Sequence, residues 1–194
     1  KKVLIIMDPI ESIDINKDTT YQLILSAQEF GHKVFYLIPE TLSTNPNGPA
    51  GKIGDLKINK KKDPFFKISN IKSKQLSNFD YILMRKDPPV DNNYIYITQI
   101  LDSINQKTSK VINPGFVLRN HNEKLITLNF PKYIPASLVS CSKDDIHKFR
   151  NIHKNIILKP LNLMGGRSVY FLEEKDKNFN VILEEITNMG KNYI

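Results

Sequence analysis

The sequence predicts an α/β fold in which an N-terminal, mostly parallel sheet domain precedes a second unit of mixed helices and strands. In residues 1–120, short continuous apolar runs alternate with helical patterns, as in sheets covered by helices on both faces. From residue 121 onward, two prolines interrupt the chain, and two strand patterns flank a Gly-Gly loop. We therefore predict two domains, 1–120 and 121–194.

The first domain is predicted to follow the order β-α-β-β-α-β. Asp18 or Thr19 is expected to cap the first helix, Gly31 to end it, and Pro39 to stop the second strand. In chain order the elements are Val3–Met7, Thr19–Phe30, Lys33–Ile38, Tyr81–Met84, Asn92–Gln106 and Val111–Ile112. The helix faces expected to point inward carry Leu23, Ala27 and Phe30, then Ile97, Ile100, Leu101 and Ile104.

Between the second and third strands the composition becomes basic and polar. Residues 43–52 are predicted to be a loop because they are rich in Pro, Gly and Asn. Residues 53–78 are expected to form short, weak strands.

The second unit is predicted to begin with a helix near 121–129 and to contain two strands that flank the Gly-Gly loop. Its elements are Leu138–Val139, helix Lys143–Ile152, strand Ile156–Leu158, loop Leu161–Arg167, strand Ser168–Leu172, helix Phe179–Gly190 and a strand opening at Tyr193–Ile194. Ile146, Phe149 and Ile152 are expected to face inward. Because an element opens where the sequence stops, we expect a portion of a longer protein.

The composition favours neither a membrane nor a nucleic-acid partner. Most of the net charge of +8 lies in residues 51–74, where eight lysines, including Lys60, Lys61 and Lys62, face two aspartates. Arginine, the preferred reader of bases, is scarce. No apolar run approaches the roughly 20 residues that cross a bilayer. The single cysteine, Cys141, excludes an internal disulfide and favours a cytoplasmic location.

The tip of the third predicted strand carries concentrated charge. Arg85, Lys86 and Asp87 follow four apolar residues, and Pro88 stops the strand. Ligands of open α/β sheets lie beyond the C-terminal ends of strands, so this tip predicts a site for a charged small molecule. Asp8 ends the first strand and would face the same crevice if the two strands are neighbours. Asp8 is equally well explained as turn chemistry before a proline.

Two further polar groups are candidates for binding an anion. Lys159 ends an apolar strand shortly before Gly165 and Gly166, which let backbone N–H groups approach a phosphate. A simple hairpin turn explains the same spacing. The segment Asn122–Lys124 begins a predicted helix, and for this segment taken alone helix capping is the better explanation of its Asn and Glu. The four histidines show no metal-binding spacing.

Together these segments resemble the bacterial glutathione synthetases, which are ATP-grasp ligases. The matching strings are collinear over essentially the whole chain, and the Met-Arg-Lys-Asp-Pro-Pro string is the most specific. They are Ile6–Ile10, Ile15–Asp18, Ile82–Pro89, Leu118-Arg119, Asn122–Leu125, Ile156–Leu161 and Met164–Gly166. Asn162 and Leu163 stand where the family usually has an aspartate and a glycine.

The resemblance implies a Rossmann-like pre-ATP-grasp domain followed by the first, truncated α+β lobe of an ATP-grasp module. It implies ATP-dependent joining of γ-glutamylcysteine and glycine through an acyl phosphate, with Mg²⁺ or Mn²⁺ bound by residues beyond 194, and a homo-oligomer. By the family pattern, ATP is contacted by Lys124, Lys159, Met164, Gly165, Gly166 and Ser168. The peptide substrate is contacted by Asp8, Arg85, Lys86, Asp87 and Pro88.

Three alternatives remain at this point. The chain could belong to another ATP-grasp carboxylate–amine ligase, such as a glutamate or D-alanine ligase. It could be a non-catalytic remnant or binding fragment, and residues 1–194 alone are expected not to turn over. A basic nucleic-acid binder is the weakest of the three.

Overall fold

The structure is a computed structural model that describes residues 1–59 and 63–194. Two compact units divide the chain. The first comprises Lys1–Asp87 and Asn92–Asn120, and the second comprises Pro88–Asp91 and His121–Ile194. Lys60, Lys61 and Lys62, which belong to the predicted basic segment, lie outside the described residues.

The first unit is built on a seven-stranded mixed sheet. In chain order its main elements are β1 Lys2–Ile6, α1 Thr19–Glu29, β2 Lys33–Leu37, β3 Ser43–Asn45, β4 Gly48–Ile58, β5 Phe66–Gln75, β6 Tyr81–Met84, α2 Asn92–Asp102, β7 Lys110–Ile112 and α3 Gly115–Asn120. β1 lies between β2 and β6 and is parallel to both, and β7 continues the parallel part beyond β6. β4 is antiparallel to β2, β3 and β5. The predicted strands at β1, β2, β6 and β7 are therefore confirmed.

The central strand β1 is buried on both faces, as its continuous apolar run predicts. Leu4 and Ile6 pack in one core cluster with residues of α2. Ile5 and Met7 point to the opposite face and pack with Ile24 of α1. Because side chains alternate along the strand, one short apolar run contributes to the cores on both faces of the sheet.

The buried stripe of α1 is displaced by about one residue from the predicted inward face. Asp18 caps the helix by accepting a hydrogen bond from the Tyr21 backbone N–H at 2.8 Å. Tyr21 and Ile24 are buried, whereas Leu23 is 46% and Phe30 80% exposed. Leu23 and Phe30 lie beside the buried stripe and meet solvent, whereas Ala27, the third residue expected on that face, packs against the core cluster that contains Ile24.

The loop predicted at residues 43–52 is wrong, because most of it is strand. β3 and β4 form a tight hairpin, and β4 continues into a long antiparallel pair with β5. Gly51 and Gly54 serve close packing here rather than a turn. A Cβ on Gly51 would lie 2.2 Å from Leu37 Cδ1, and one on Gly54 would lie 2.4 Å from Ile68 Cγ2. Strand glycines often mark such close approaches.

The end of the first unit also differs from prediction. The second helix ends at Asp102 rather than at residue 106, and the short helix α3 was not predicted. Its first residue, Gly115, packs so closely on α2 that a Cβ there would lie 2.2 Å from the Thr98 carbonyl oxygen. Arg119 of α3 forms an ion pair with Asp102 at 2.6 Å, which holds the two helices together.

The second unit pairs two short strands under two helices. Its elements are 3₁₀ turns at Leu125–Asn129 and Pro131–Tyr133, α4 Lys143–His153, β8 Ile156–Leu158, β9 Tyr170–Leu172 and α5 Phe179–Ile186. β8 and β9 are antiparallel. Their inner faces pack with Ile146 and Phe179. The helix predicted near 121–129 is therefore a 3₁₀ turn.

Two other expectations for this unit need correction. Ile152 was expected to face inward in α4, but it is 72% exposed. The strand predicted at 138–139 does not form. Instead Ser140, the next residue, exchanges two backbone hydrogen bonds of 3.2 Å with Ile194. Among the described residues, none of the helices has both the length and the apolar character needed to cross a bilayer.

Candidate functional site

The C-terminal tips of β1 and β6 lie side by side in the first unit. Ile6 is in register with Met84, and the Arg85 N–H donates to the Ile6 carbonyl at 2.7 Å. This pairing brings Asp8 against the charged tip, as the sequence suggested for neighbouring strands. Asp8 Oδ1 lies 2.5 Å from Lys86 Nζ, and its Oδ2 accepts from the Asp87 N–H at 2.8 Å. One carboxylate therefore fixes the conformation of two tip residues.

The Arg85 guanidinium is held by the first turn of α1. Its Nε donates to Thr20 Oγ1 at 3.0 Å, and one terminal nitrogen donates to Thr19 Oγ1 at 2.9 Å. Both acceptors are neutral, so the positive charge of Arg85 is oriented without being neutralised by these bonds. Sequence reasoning missed both threonines because it treated Thr19 only as a possible helix cap.

These side chains border a cavity of about 140 Å³ at the strand tips. Its charged lining residues are Asp8, Asp14, Asp18, Arg85 and Asp87. Desolvation, and then the carboxylates of Asp8 and Asp18, raise the pKa of Asp87, while Arg85 and Lys86 oppose the shift. Excess negative charge beside one oriented guanidinium suits a ligand that carries both an ammonium and a carboxylate. Pro88 begins the segment that groups with the second unit.

Tyr36, a residue that no sequence pattern indicated, contacts the backbone at the tip of β1. The side chain is 4% exposed, and its hydroxyl lies 3.4 Å from the Asp8 carbonyl oxygen, to which it can donate. Burial raises the pKa of Tyr36 to about 12. Tyr36 therefore stays neutral at ordinary pH and remains a hydrogen-bond donor to the backbone of Asp8.

The second unit contains a larger groove, of about 770 Å³. One wall is apolar and includes Ile157, which is 54% exposed on the open face of β8. Lys124 and Lys159 both line the groove, so the structure brings these two predicted residues together. Lys159 is exposed. An apolar wall beside two cations can accommodate a planar ring system that carries an anionic tail.

Lys124 is already engaged in the second unit. Its Nζ donates to the Leu163 carbonyl at 2.7 Å and to Glu123 Oε1 at 2.9 Å. Asn122 donates from Nδ2 to the Leu161 carbonyl at 2.8 Å. The turn at 122–124 is therefore bonded to the chain that leads into the Gly-Gly loop.

The tip of that loop, residues 164–168, is exposed and does not contribute to the groove lining. Gly165 and Gly166 adopt φ angles of +66° and +76°, and a Cβ at either position would have no neighbour within 4 Å. Ser168 adopts a φ of +53°. Met164, Gly165, Gly166 and Ser168, all predicted to contact ATP, thus do not line the groove with Lys124 and Lys159. Their role remains a prediction.

Metal binding was expected from residues beyond this sequence. Within 1–59 and 63–194, no group of three or more His, Cys, Asp or Glu side chains could hold a metal ion.

Comparison with solved structures supports an ATP-grasp fold. The chain is similar to the ATP-grasp ligase PsnB, solved with a minimal precursor, Mg and ADP, with a TM-score of 0.50 and 14% identity. The match covers 98% of this chain and 63% of PsnB. A second structure of PsnB, with the precursor peptide PsnA2 and AMPPNP, matches with a TM-score of 0.50 and 15% identity. The likeness, together with the mixed α/β architecture, supports an ATP-grasp-type fold.

Family models narrow the assignment. The model for the prokaryotic glutathione synthetase N-terminal domain matches residues 2–119, and the model for the ATP-grasp domain of the same enzyme matches residues 123–194. The chain belongs to the prokaryotic glutathione synthetase family. It is 40% identical to glutathione synthetase from Buchnera aphidicola subsp. Baizongia pistaciae, over 98% of this chain and 61% of that protein. For glutathione synthetase from Yersinia pestis the identity is 40%, over 99% and 60%. The chain thus spans about three fifths of these relatives.

Proposed function

We propose that this chain is part of a glutathione synthase, which joins γ-glutamylcysteine to glycine with ATP by way of an acyl phosphate. The observation that carries the proposal is the match of both glutathione synthetase domain models, at residues 2–119 and 123–194. ATP use is also consistent with the name of the second model and with the nucleotide-bound ligase PsnB.

The cavity at the tips of β1 and β6 is proposed to bind the γ-glutamyl end of the peptide. That end carries an ammonium and a carboxylate, and the cavity offers Asp8, Asp87 and the oriented guanidinium of Arg85. Lys86 neutralises Asp8 and thereby leaves Asp87 as the carboxylate better placed to meet an ammonium. Pro88 is proposed to shape the chain after this tip.

The groove of the second unit is proposed to bind ATP. Its apolar wall would hold the base, while Lys124 and Lys159 would hold the phosphates and lower the charge repulsion that opposes phosphoryl transfer. The loop at 164–168 would cover the phosphates and keep water from the acyl phosphate. ATP supplies the phosphoryl group that gives the peptide carboxylate a leaving group.

The proposal is tested by the ligation reaction itself. The full polypeptide that the coding sequence specifies is incubated with ATP and a panel of acceptor and donor pairs, and phosphate release is followed. γ-Glutamylcysteine with glycine is expected to give the highest kcat/KM. A preference for glutamate or for D-alanine pairs would transfer the proposal to another carboxylate–amine ligase, and absence of turnover with every pair would favour a non-catalytic role.

Three finer properties belong to the same proposal. The divalent cation is proposed to be Mg²⁺, with Mn²⁺ as a substitute, and its ligands are not assigned to the described residues. A cytoplasmic location and a homo-oligomeric assembly are also proposed. Subcellular fractionation and sedimentation of the full polypeptide test these two properties directly.

A further inference from the structure

The base of the Gly-Gly loop carries two side-chain anchors that the proposed reaction does not require. Asn122 Nδ2 donates to the Leu161 carbonyl at 2.8 Å, and Lys124 Nζ donates to the Leu163 carbonyl at 2.7 Å. The two acceptors flank Asn162. Both anchors thus come from one short turn and reach two backbone carbonyls that lie just before the loop tip.

Asn122 also organises the turn from which it reaches. Its Oδ1 accepts from the Lys124 N–H at 2.9 Å and from the Leu125 N–H at 3.2 Å. One amide side chain therefore caps the start of the 3₁₀ turn with its oxygen and holds Leu161 with its nitrogen. The amide supplies the acceptor and the donor on two separate atoms, whereas an ionised Asp only accepts and Ser has a single, closer oxygen, so Asn is better suited here than either.

Among the residues that the structure describes, no further side chain donates to the backbone of the loop tip at 164–168. Residues 164–168 are exposed, and no Cβ neighbour lies within 4 Å of either glycine position. Two long backbone hydrogen bonds lie at the tip, 3.3 Å from the Arg167 nitrogen to the Met164 oxygen and 3.4 Å from the Val169 nitrogen to the Gly166 oxygen. Weak bonds and glycines permit motion of the tip, whereas the two anchors restrain its base.

We propose that the turn at 122–124 clamps the base of the loop, so that Asn122 is a positioning residue and the tip moves about Leu163. An ammonium group has three donors, and two of those on Lys124 are used by Leu163 and Glu123. The third can meet an anion while the clamp stays closed. The clamp acts through the backbone of Leu163, so the unusual side chain at that position does not weaken it. That the tip serves a nucleotide rests on the proposed function; the clamp itself does not.

The clamp is tested by limited trypsin digestion of the 194-residue chain without nucleotide. Arg167 lies in the exposed tip, so the rate of cleavage after Arg167 reports opening of the loop. Asn122→Ser keeps a capping oxygen but cannot reach Leu161. Cleavage after Arg167 is expected to become about fivefold faster, as for the loss of one hydrogen bond. Cleavage after Lys107, in an exposed turn of the first unit, is expected to stay unchanged.

Two further variants keep the test decisive. Thr127→Val removes a hydrogen bond within the same turn, from Thr127 Oγ1 to the Lys124 carbonyl at 2.6 Å, and leaves the bonds to the Leu161 and Leu163 carbonyls in place. It is expected to leave cleavage after Arg167 near the unsubstituted rate. Asn122→Asp can still accept from the Lys124 and Leu125 N–H groups but cannot donate to the Leu161 carbonyl. It replaces Asn122→Ser in the test if that variant does not fold. Equal acceleration in the Thr127 and Asn122 variants, or none in either Asn122 variant, would overturn the clamp.

Nucleotide binding separates this inference from the proposed function. Addition of ATP with Mg²⁺ is expected to slow cleavage after Arg167 in the unsubstituted chain, and to slow it less in Asn122→Ser. Absence of any ATP effect, combined with a normal Asn122 result, would count against the nucleotide role and leave the clamp standing. Absence of the Asn122 effect, with normal protection by ATP, would remove the clamp alone.

Discussion

At the scale of single residues, the strand tips depend on one partly buried ion pair. Lys86 and Asp8 have side chains that are 18% and 29% exposed, and Asp8 also accepts from the Asp87 backbone. Removal of the cation leaves a carboxylate that is only partly solvated. The geometry of the proposed peptide site and the stability of the first unit are therefore linked through Asp8.

Lys86→Met is expected to lower the free energy of unfolding by about 1–3 kcal/mol, because Asp8 loses the partner of its charge. Urea unfolding measures this loss. Lys17→Met is the matched control, since Lys17 pairs with Asp14 while 85% exposed. The control is expected to cost less than about 0.5 kcal/mol. Equal losses in the two variants would contradict the structural weight given to Asp8.

Tyr36 predicts a dependence of stability on alkaline pH. Its pKa is about 12 in the folded chain, above the ordinary value of 10.0. Folding therefore favours the neutral phenol, and this contribution is fully present below pH 10 and is lost as the pH rises through 12. Between pH 9 and pH 12, the unsubstituted chain is expected to lose about 2 kcal/mol more than Tyr36→Phe. Identical pH profiles from denaturant unfolding would show that the phenol is not held neutral.

At the scale of elements, the contact between α2 and α3 is set by a missing side chain. A Cβ on Gly115 would lie 2.2 Å from the Thr98 carbonyl oxygen and 2.9 Å from its carbonyl carbon. Both atoms are backbone, so no rotamer change can relieve the overlap. The Arg119–Asp102 ion pair joins the two helices beside this contact, since a Cβ on Gly115 would also lie 2.7 Å from Asp102 Oδ1.

Gly115→Ala is expected to destabilise the first unit by about 2–3 kcal/mol, because the two helices must separate. Thermal and urea unfolding provide the measurement. Gly31→Ala is the control, since Gly31 has a φ of +74° but no neighbour within 4 Å of its Cβ position. Only the backbone conformation is strained there, at about 1 kcal/mol. A cost at Gly115 no larger than that at Gly31 would contradict close helix packing.

The sequence was informative about elements where one physical signal dominated. The apolar runs at Val3–Met7 and Tyr81–Met84 have few alternatives to buried strands, and Asp18, one of the two residues expected to cap the first helix, is its cap. The loop prediction for residues 43–52 was wrong because Gly51 and the prolines favour turns locally. The strand instead brings Gly51 against Leu37, which is distant in sequence. The face predicted for the second helix is confirmed, since Ile97, Leu101 and Ile104 are buried, whereas Phe30 fits an apolar stripe that the fold leaves exposed.

For the candidate site too, local signals and topology were predicted from the sequence, whereas contacts made by tertiary packing were not. The proximity of Asp8 to Arg85, Lys86 and Asp87 follows from parallel neighbouring strands, which is a rule of topology. Tyr36 was not recognised, and Asn122 was expected only in a polar segment or a helix cap, because their contacts with Asp8 and Leu161 depend on tertiary packing. The resemblance to a family supplied the roles of Lys124 and Lys159, which spacing alone left open.

At the scale of the whole molecule, the two units carry two different kinds of site. The first offers a small cavity of mixed charge, about 140 Å³, and the second offers a groove of about 770 Å³ with an apolar wall and two cations. A ligase that activates a peptide carboxylate with ATP needs one site of each kind. We therefore expect the binding of each ligand to depend on residues of its own unit.

The most direct measurement is calorimetric titration of the chain with γ-glutamylcysteine and, separately, with ADP. Arg85→Met is expected to weaken γ-glutamylcysteine binding about tenfold and to leave ADP binding unchanged, because a charge-assisted contact is lost from one site only. Lys159→Met is expected to do the reverse. If each variant weakened both ligands equally, or if neither ligand responded to its own variant, the assignment of the peptide to the β1–β6 tips and of the nucleotide to the groove would be contradicted.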